Sequence, residues 1–350
     1  MTSEPTSDVL IIGAGIAGLA AAGALREAGA QVRVLEKSRG LGGRAATRRL
    51  HGVRVDHGAQ FFTVRDARFR RRVDAWLASG DVDVWTHGVP TWTREHGWRA
   101  PDPGGHPRYV CPEGMSTLAR LLGAGVEVER SARVTSVRGR DGAWTATLDD
   151  ATSRSARSLV LTAPLPQSLD LLHDRSLSAA ERSELDAVRY APSFAVMAGY
   201  ERVQAPDAVG VRLEDHPDLG WIAVDSSKRA RGTRAGDTSM TSYPTVLVLH
   251  GTPAFARRRF DDAHGRVASD LLDAAAAVFP WASTPDWHDV HRWRYAMVET
   301  PLHERARDLG DGLVLAGDAF GAARVEGAYL SGLAAADAVL AQVGFRDADR

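Results

Sequence analysis

The sequence predicts an α/β fold, α+β overall, in which a Rossmann-like domain is discontinuous along the chain and a mixed-sheet domain is inserted into it. Three observations predict it. Buried-strand patterns stand near both ends, in residues 8–13 (DVLIIG) and 311–320 (DGLVLAGDAF). The first runs directly into a glycine triplet and an alanine-rich helical segment, the opening of a βαβ unit. Strand and helix patterns then mix through the middle of the chain without a repeat or a low-complexity linker.

Composition bounds what such a chain can be. It has 350 residues, 44% apolar and 25% charged, enough for about two domains and a sizeable core. Disorder, a collagen-like fibre and a disulfide-stapled mini-domain are excluded. With 43 basic and 44 acidic residues the net charge is −1, so the basic excess of a nucleic-acid binder is missing. The lone cysteine, Cys111, permits no intrachain disulfide and no zinc–thiolate cluster, and no metal site is expected. The polar, acidic MTSEPTSD start lacks the basic beginning of a secretory signal. The uncharged run Val9 to Leu25 divides into strand plus helix rather than a membrane span. A cytoplasmic protein is expected.

In chain order, residues 8–13 read as a buried parallel strand, Gly15 to Ala28 as a helix stopped by Gly29, and 31–36 (QVRVLE) as a second strand ending in an acid. Residues 37–49 are a glycine- and arginine-rich loop, and 51–62 a strand, a tight glycine turn and an aromatic landing. A helix is expected over 66–80, a loop-rich stretch carrying Trp85, Trp92 and Trp98 over 85–110, and a helix over 112–122 capped by Ser116 or the turn before it. Residues 126–150 read as a meander, 157–164 as another buried strand, and 326–343 as a closing amphipathic helix. Residues 1–80, 111–165 and 296–350 are expected to form the nucleotide-binding domain, and 81–110 and 166–295 the substrate domain.

The chemistry begins at Gly13-x-Gly15-x-x-Gly18. Gly13 permits the tight turn, Gly15 lets backbone approach a pyrophosphate, and Gly18 lets the helix lie close to the sheet. Phosphates then rest on free N–H groups at the positive end of the helix, beside Ile16 and Ala17. Glu36 ends the second strand 18 residues beyond Gly18, where a carboxylate can accept both hydroxyls of an adenosine ribose and would repel a 2′-phosphate. Gly42-Gly43-Arg44 follows, adding a fixed cation for the phosphates; that second contact points to FAD rather than NAD. Asp56-His57-Gly58-Ala59-Gln60-Phe61-Phe62 packs small residues beside an amide and aromatics, a composition suited to backbone laid against a flat ring. Near the C-terminus, Gly317 permits approach to the diphosphate and Asp318 can hold a ribityl hydroxyl. The helix beginning in RVEGAYLSG can turn its N-terminal amides, around Glu326, Gly327 and Ala328, toward the N1–C2=O edge of a flavin, where reduction places negative charge. An isoalloxazine ring is thus expected between the opening and closing segments of the chain.

The order of these pieces resembles the FAD-containing amine-oxidase superfamily, with the closer likeness to its renalase-like branch. The carrying segments are IIGAGIAGLAAA, EKSRGLGGRAATRR, DHGAQFFT, YVCPEGMSTLARLL, WIAVDSSKRAR, VLHGTPAFARR, HRWRYA and LAGDAFGAARVEGAYLSGLAAADAVL, which span essentially the whole chain. The resemblance implies a glutathione-reductase-type FAD domain and noncovalent FAD. It implies that a hydride passes from a small donor to flavin and that O2 is then reduced to H2O2. For the renalase-like branch the implied donors are dihydronicotinamide isomers of NAD(P)H. It places Ala17, Arg44, Gln60 and Phe61 among the FAD contacts; Lys37 and Val134 are further expected cofactor-binding residues. Amine oxidases of the superfamily keep a lysine on a substrate-domain strand, and the corresponding SFAVMAGYE (193–201) has none. The chain has only two lysines, Lys37 and Lys228. Covalently flavinylated members use a cysteine near the C-terminus, far from Cys111.

The substrate face is expected from the middle of the chain. Trp221, Trp293 and Tyr295 can wall a planar ring, His250 can hydrogen-bond a carboxamide, and Arg294 and Lys228 can hold a phosphate. A dihydropyridine donor needs no base, since no proton leaves before the hydride, whereas an amine or alcohol donor does. Competing readings are an oxidase of amines or other small donors, a flavin monooxygenase, and a nonenzymatic nucleotide-binding protein.

Overall fold

In a computed structural model, described over residues 7–102, 104–140, 142–172, 177–204, 208–229 and 244–343, the chain forms two compact units. The first comprises residues 1–43, 118–189 and 298–350, the second 44–117 and 190–297. Pro103 and the last two residues of the WIAVDSSKRAR segment, 230 and 231, lie outside the described residues.

The first unit is built on a sheet with the strand order Val134–Arg140, Ala143–Leu148, Ser153–Leu161, Ser7–Ile12, Val32–Glu36, Glu127–Arg130. Ser7–Ile12 pairs in parallel with both neighbours, and its Val9, Leu10 and Ile11 are wholly buried, as a strand covered on both faces requires. Ser153–Leu161 changes partner along its length: its first half pairs antiparallel with Ala143–Leu148, and its last three residues pair in parallel with Leu313–Leu315. The chain's closing strand is thereby set beside the opening one, with a single strand separating them.

Helices Ile16–Glu27 and Val325–Val343 pack together in this unit, closely enough that a Cβ at Gly332 would lie 2.2 Å from the Ala17 carbonyl oxygen. The closing helix shows less of an exposed face than an amphipathic helix would, because small residues bury it along most of its length. No helix among the described residues is long and apolar enough to cross a membrane.

The second unit carries a seven-stranded sheet in the order Trp287–Val298, Tyr190–Tyr200, Thr245–Gly251, Leu219–Val224, Gly210–Leu213, Thr91–Thr93, Gly97–Arg99. Strand alternation divides its side chains. Phe194, Val196, Leu247, Leu249, Ile222 and Val224 face one core with Val267 and Leu271 of the helix His264–Ala276. Met197, Val246, Val248, Ala223 and Trp287 face the other, with Val53, Val55 and Trp85. On this second side lies the candidate substrate face.

Four expectations shift. Residues 44–80, 111–117 and 296–297 join the second unit and 166–189 the first; the hairpin Thr47–Leu50/Val53–Asp56 and the pair Asp83–His87/Pro107–Val110 build the second unit's layers, and the strand Trp287–Val298 runs through 296–297. The stretch 85–110 is not mainly loop: it supplies four short strands, two of which extend the seven-stranded sheet. Glu127–Arg130 leaves the expected meander and pairs with Val32–Glu36 on the opposite edge, since the chain crosses the sheet before its next strand. The helix expected over 112–122 begins only at Ser116; the preceding turn enters it, one of the two expected starts, with the Gly114 carbonyl accepting from the Thr117 N–H and the Thr47 hydroxyl oxygen from the Ser116 N–H.

Candidate active site

In the first unit the site is made mostly of backbone. Gly13 adopts φ +107°, a conformation L side chains avoid, and a Cβ on Gly18 would meet the Gly13 carbonyl oxygen at 2.0 Å. Around Gly15 nothing lies within 4 Å of such a Cβ, so this glycine opens onto space. Gly15 is also the N-cap of the helix, in extended conformation and with no side-chain cap, so the N–H groups of Ile16, Ala17 and Gly18 are capped by no side chain. Space above uncapped helical N–H groups is what a phosphate needs.

Glu36 is fixed by that same loop: one carboxylate oxygen accepts the Ala14 N–H at 2.9 Å and the other the Ser38 N–H at 2.7 Å. Each oxygen keeps a further lone pair for a hydroxyl donor. The Gly42 N–H donates to the Ala14 carbonyl at 2.9 Å, and Gly43 at φ +54° lies against Gly15, so the GGR loop closes over the first one. The Thr162 hydroxyl, bonded to the carbonyls of Ile12 and Gly13, pins the loop from below, and the backbone of Gly317 lies against the Thr162 carbonyl. Gly317, at φ +134°, donates its N–H to the Ser331 hydroxyl. A Cβ on Gly327 would overlap the Ala322 carbonyl oxygen at 2.0 Å, so the turn feeding the last helix, with Glu326 and Ala328, also requires glycine.

Asp318 is half-buried beside Gly317. Val134 opens its strand two residues after Ala132, whose N–H bonds to the Glu36 carbonyl. Lys37 donates to Gln167 at an exposed position. These features fit FAD: one cradle for a diphosphate, one oriented carboxylate for a ribose, and a second glycine turn beside the first.

The second unit's site is made of side chains. A Cβ on Gly58 would strike the Arg44 carbonyl oxygen at 2.0 Å, and the Ala59 N–H donates to that oxygen at 2.8 Å, so the 57–60 turn is laid on the Arg44 backbone. Arg44 donates to the Tyr295 carbonyl and stands 6.0 Å from the Tyr190 ring, which meets Tyr295 edge-on.

Below the turn lies a buried ionic cluster. Lys228 Nζ donates to Asp225 at 2.8 Å, to Gln60 Oε1 at 2.9 Å and to Asp56 at 3.4 Å, while Arg229 donates to that same Asp56 oxygen and to the other oxygen of Asp225. Burial alone would raise the Asp56 carboxyl; Lys228 and Arg229, with hydrogen bonds from Thr47 and the Met115 N–H, outweigh it and hold it below the ordinary carboxylate value. Two anions and two cations leave the cluster neutral. Gln60 spends its amide inside it, donating to the carbonyls of Asp56 and Gly58.

This corrects the expectation for Lys228. Its side chain is 0% exposed and its ammonium is ringed by three oxygens, so it does not reach a substrate phosphate.

Arg294 is corrected as well. Along Trp287–Val298, residues two apart share a face. Trp293 therefore turns toward His57, donating to its carbonyl at 3.0 Å and stacking on its ring at 5.1 Å, whereas Arg294 turns the other way and lies 4.9 Å over Phe260. Tyr295 shares the Trp293 face.

His57, His250 and His291 are neutral at pH 7. Burial first, then neighbouring positive charge, pushes them down to about 3, about 4 and about 4 respectively; for His57 and His291 that charge includes Arg48, and for His250 it is Lys228. The His250 ring donates to the His57 carbonyl, leaving Nε2 as a buried acceptor with no partner among the described residues. Trp221 lies directly opposite His250 in the sheet register, and its Nε1–H, also buried, lacks an acceptor among the described residues. Phe61 meets Trp221 edge-on at 5.9 Å and Trp85 at 6.2 Å. The structure thus brings together Trp221, His250, Phe61, Trp293 and Tyr295 within the second unit. The sequence reading missed His57, His291 and the ionic cluster; the DHG and HRWRY segments held the histidines, but only the tertiary fold shows that the two rings meet, edge-on at 4.8 Å.

The family profile described as flavin containing amine oxidoreductase matches residues 90–340, and a second, an NAD(P)-binding Rossmann-like domain, matches residues 11–76. The chain is similar to renalase of Mus musculus, 25% identical over 346 residues that cover 93% of this chain and 97% of the relative. A carotenoid 3,4-desaturase of Haloarcula japonica is 46% identical over 66 residues, 19% of this chain and 13% of the relative. Among solved structures, cyclohexylamine oxidase from Brevibacterium oxydans superimposes with a TM-score of 0.75 at 15% identity, covering 97% of this chain and all of that one. Putrescine oxidase bound to putrescine gives 0.71 at 16% identity, covering 96% and 99%; both likenesses show the fold. With its uncapped glycine loop, its doubly hydrogen-bonded Glu36 and a profile match over most of its length, the chain belongs to the flavin-containing amine oxidoreductase family and is an FAD-dependent oxidoreductase, similar to renalase among its relatives.

Proposed function

We propose that the protein is an oxidase of dihydronicotinamide isomers of NAD(P)H, holding FAD noncovalently and returning the electrons to O2 as H2O2. Bound FAD supplies the hydride acceptor. One observation carries the donor reading: the facing pair Trp221 Nε1–H and His250 Nε2. Cross-strand partners stand about 5 Å apart at Cβ, and here one offers a buried donor and the other a buried acceptor. A carboxamide presents the complementary pair, a carbonyl to Trp221 and an N–H to His250. Phe61 and Trp293 give the ring flat neighbours.

The same face lacks what an amine donor would ask of it. Its histidines are neutral at working pH, and Lys228 is sealed in its ion cluster. A protonated amine must first lose a proton, whereas a dihydropyridine gives up hydride without a base. Tyr190–Tyr200 has no lysine to assist one. For the cofactor, the sole cysteine, Cys111, is buried, which favours noncovalent binding. Gly13, Gly15, Ile16, Ala17, Gly18, Glu36, Lys37, Gly43, Arg44, Gly58, Ala59, Gln60, Phe61, Val134, Gly317, Asp318, Glu326, Gly327 and Ala328 are the residues proposed to hold it.

Anaerobic mixing with candidate donors tests the reading. Rapid bleaching of the flavin bands by 2- or 6-dihydronicotinamide dinucleotides, with slow bleaching by NADH and by simple amines, is expected. Rapid reduction by an amine with no response to the isomers overturns it.

A further inference from the structure

With Lys228 sealed and Arg294 turned to the opposite face, neither cation expected to hold a phosphate is placed to do so, yet the donor face is not without positive charge. Arg212 pairs directly with Trp221 across the sheet, so the two side chains project on the same side. Trp221 meets the Phe61 ring at 5.9 Å, and the Arg108 guanidinium lies 5.4 Å over that ring from the adjacent strand Pro107–Val110. Arg108 donates to the His106 carbonyl through one terminal nitrogen, while its Nε–H is buried with no partner among the described residues.

Three other cations of this unit are neutralised: Arg48 by Asp289, and Lys228 and Arg229 by Asp56 and Asp225. No carboxylate ion pair is formed by Arg108 or Arg212 among the described residues. Burial, with the charges of Arg212 and Arg65 nearby, pulls the Arg108 guanidinium below its usual range. Like charges held together without a counter-ion, one of them partly desolvated, cost stability unless an anion joins them. A guanidinium fork matches the oxygens of a phosphate and can sit over an aromatic ring, as Arg108 sits over Phe61.

We propose that Arg108 and Arg212 form an anion subsite beside the Phe61–Trp221 pair, which takes the diphosphate of a dinucleotide donor. The proposal rests on the donor reading above and extends it: the carboxamide is read at Trp221 and His250, the phosphates at the two arginines. The substrate class is then a dinucleotide or phosphorylated nucleotide rather than a free dihydropyridine.

The test compares donors with and without phosphate on the FAD-loaded enzyme and on the variants Arg108→Gln and Arg212→Gln. With a dihydronicotinamide dinucleotide, kcat/KM is expected to fall about tenfold or more in each variant, chiefly through KM, as loss of a charge-assisted hydrogen bond predicts. With the phosphate-free dihydronicotinamide riboside the fall is expected to be at least about tenfold smaller. Equal losses for the two donors, or no loss for the dinucleotide, overturn the subsite.

Should no donor of this class reduce the flavin, the donor reading fails, and calorimetric titration of the FAD-loaded enzyme with inorganic pyrophosphate decides the subsite separately. Binding to the wild type that weakens about tenfold or more in both variants upholds it. Absent binding, or binding the variants leave unaltered, overturns it.

Discussion

The candidate recognition groups of the first unit are backbone N–H donors and a carboxylate that two such donors orient. Those of the second are ring nitrogens, guanidinium groups and aromatic faces brought together by strand pairing. The two arrangements fail differently. A backbone cradle depends on conformations that only glycine supplies, so one added methyl group can abolish it. A side-chain face tolerates substitution of the scaffold but depends on which way each residue of a strand points, so one position along the strand separates a wall of the site from its outer surface.

The largest expected effect falls on the backbone cradle. Gly18→Val would force a side chain against the Gly13 carbonyl oxygen, where a Cβ alone would lie at 2.0 Å. FAD content, read from the visible flavin absorbance of purified protein, is expected to drop to about a tenth or less of the wild type. Full colour in this variant would mean that the loop does not carry the diphosphate.

Next comes the ionic cluster. Lys228→Met leaves Asp56 and Asp225 buried with Arg229 as their remaining cation, and the midpoint of denaturant unfolding should fall by the equivalent of about 3–5 kcal/mol. Adding Asp225→Leu should recover part of that loss, since the second change removes the uncompensated charge. A single variant as stable as the wild type would show that the cluster does not hold the 56–60 turn.

Acid exposes the second unit's neutral histidines. His57, His250 and His291 have folded values of about 3, about 4 and about 4, below the ordinary 6.5. The folded state therefore binds fewer protons than the unfolded chain as pH falls below 6.5, so stability is fully present above that value and declines toward 4. Thermal scans should show this decline, and His250→Asn should flatten part of it. A transition temperature unchanged from pH 7 to 4.5 would contradict the burial of these rings.

The smallest effect is expected at Arg294. Because it lies over Phe260, on the opposite face from Trp293, Arg294→Gln should leave kcat/KM within about twofold of the wild type. A loss as large as that of Arg212→Gln would return Arg294 to the substrate face.

The same contrast explains what could be read from the chain alone. The turn at Gly13, Gly15 and Gly18 was legible because a strand, a glycine turn and a helix in succession are a local sequence event: the three pieces are contiguous, and the spacing of glycines records the geometry. Trp221 and His250 were legible as residue types but not as a pair, since their register is set by two strands separated by residues 225–244. The alternation of HRWRY should have separated Arg294 from Trp293 and Tyr295, as period two requires once the segment is a strand. Lys228 misled because a lysine in a polar SSKR turn looks exposed; Asp56, 172 positions earlier, is what closes over it. Arg108 and Arg212 carried no local signal among so many arginines.

The most direct test of the account is a cycle between donor and residue at the carboxamide contact. A dihydropyridine dinucleotide bearing an acetyl group in place of the carboxamide keeps the carbonyl and loses the N–H. If His250 Nε2 accepts that N–H, the analogue should bind about tenfold more weakly than the carboxamide donor in the wild type and equally well in His250→Leu. A penalty of the same size in both proteins would show that His250 does not read the carboxamide.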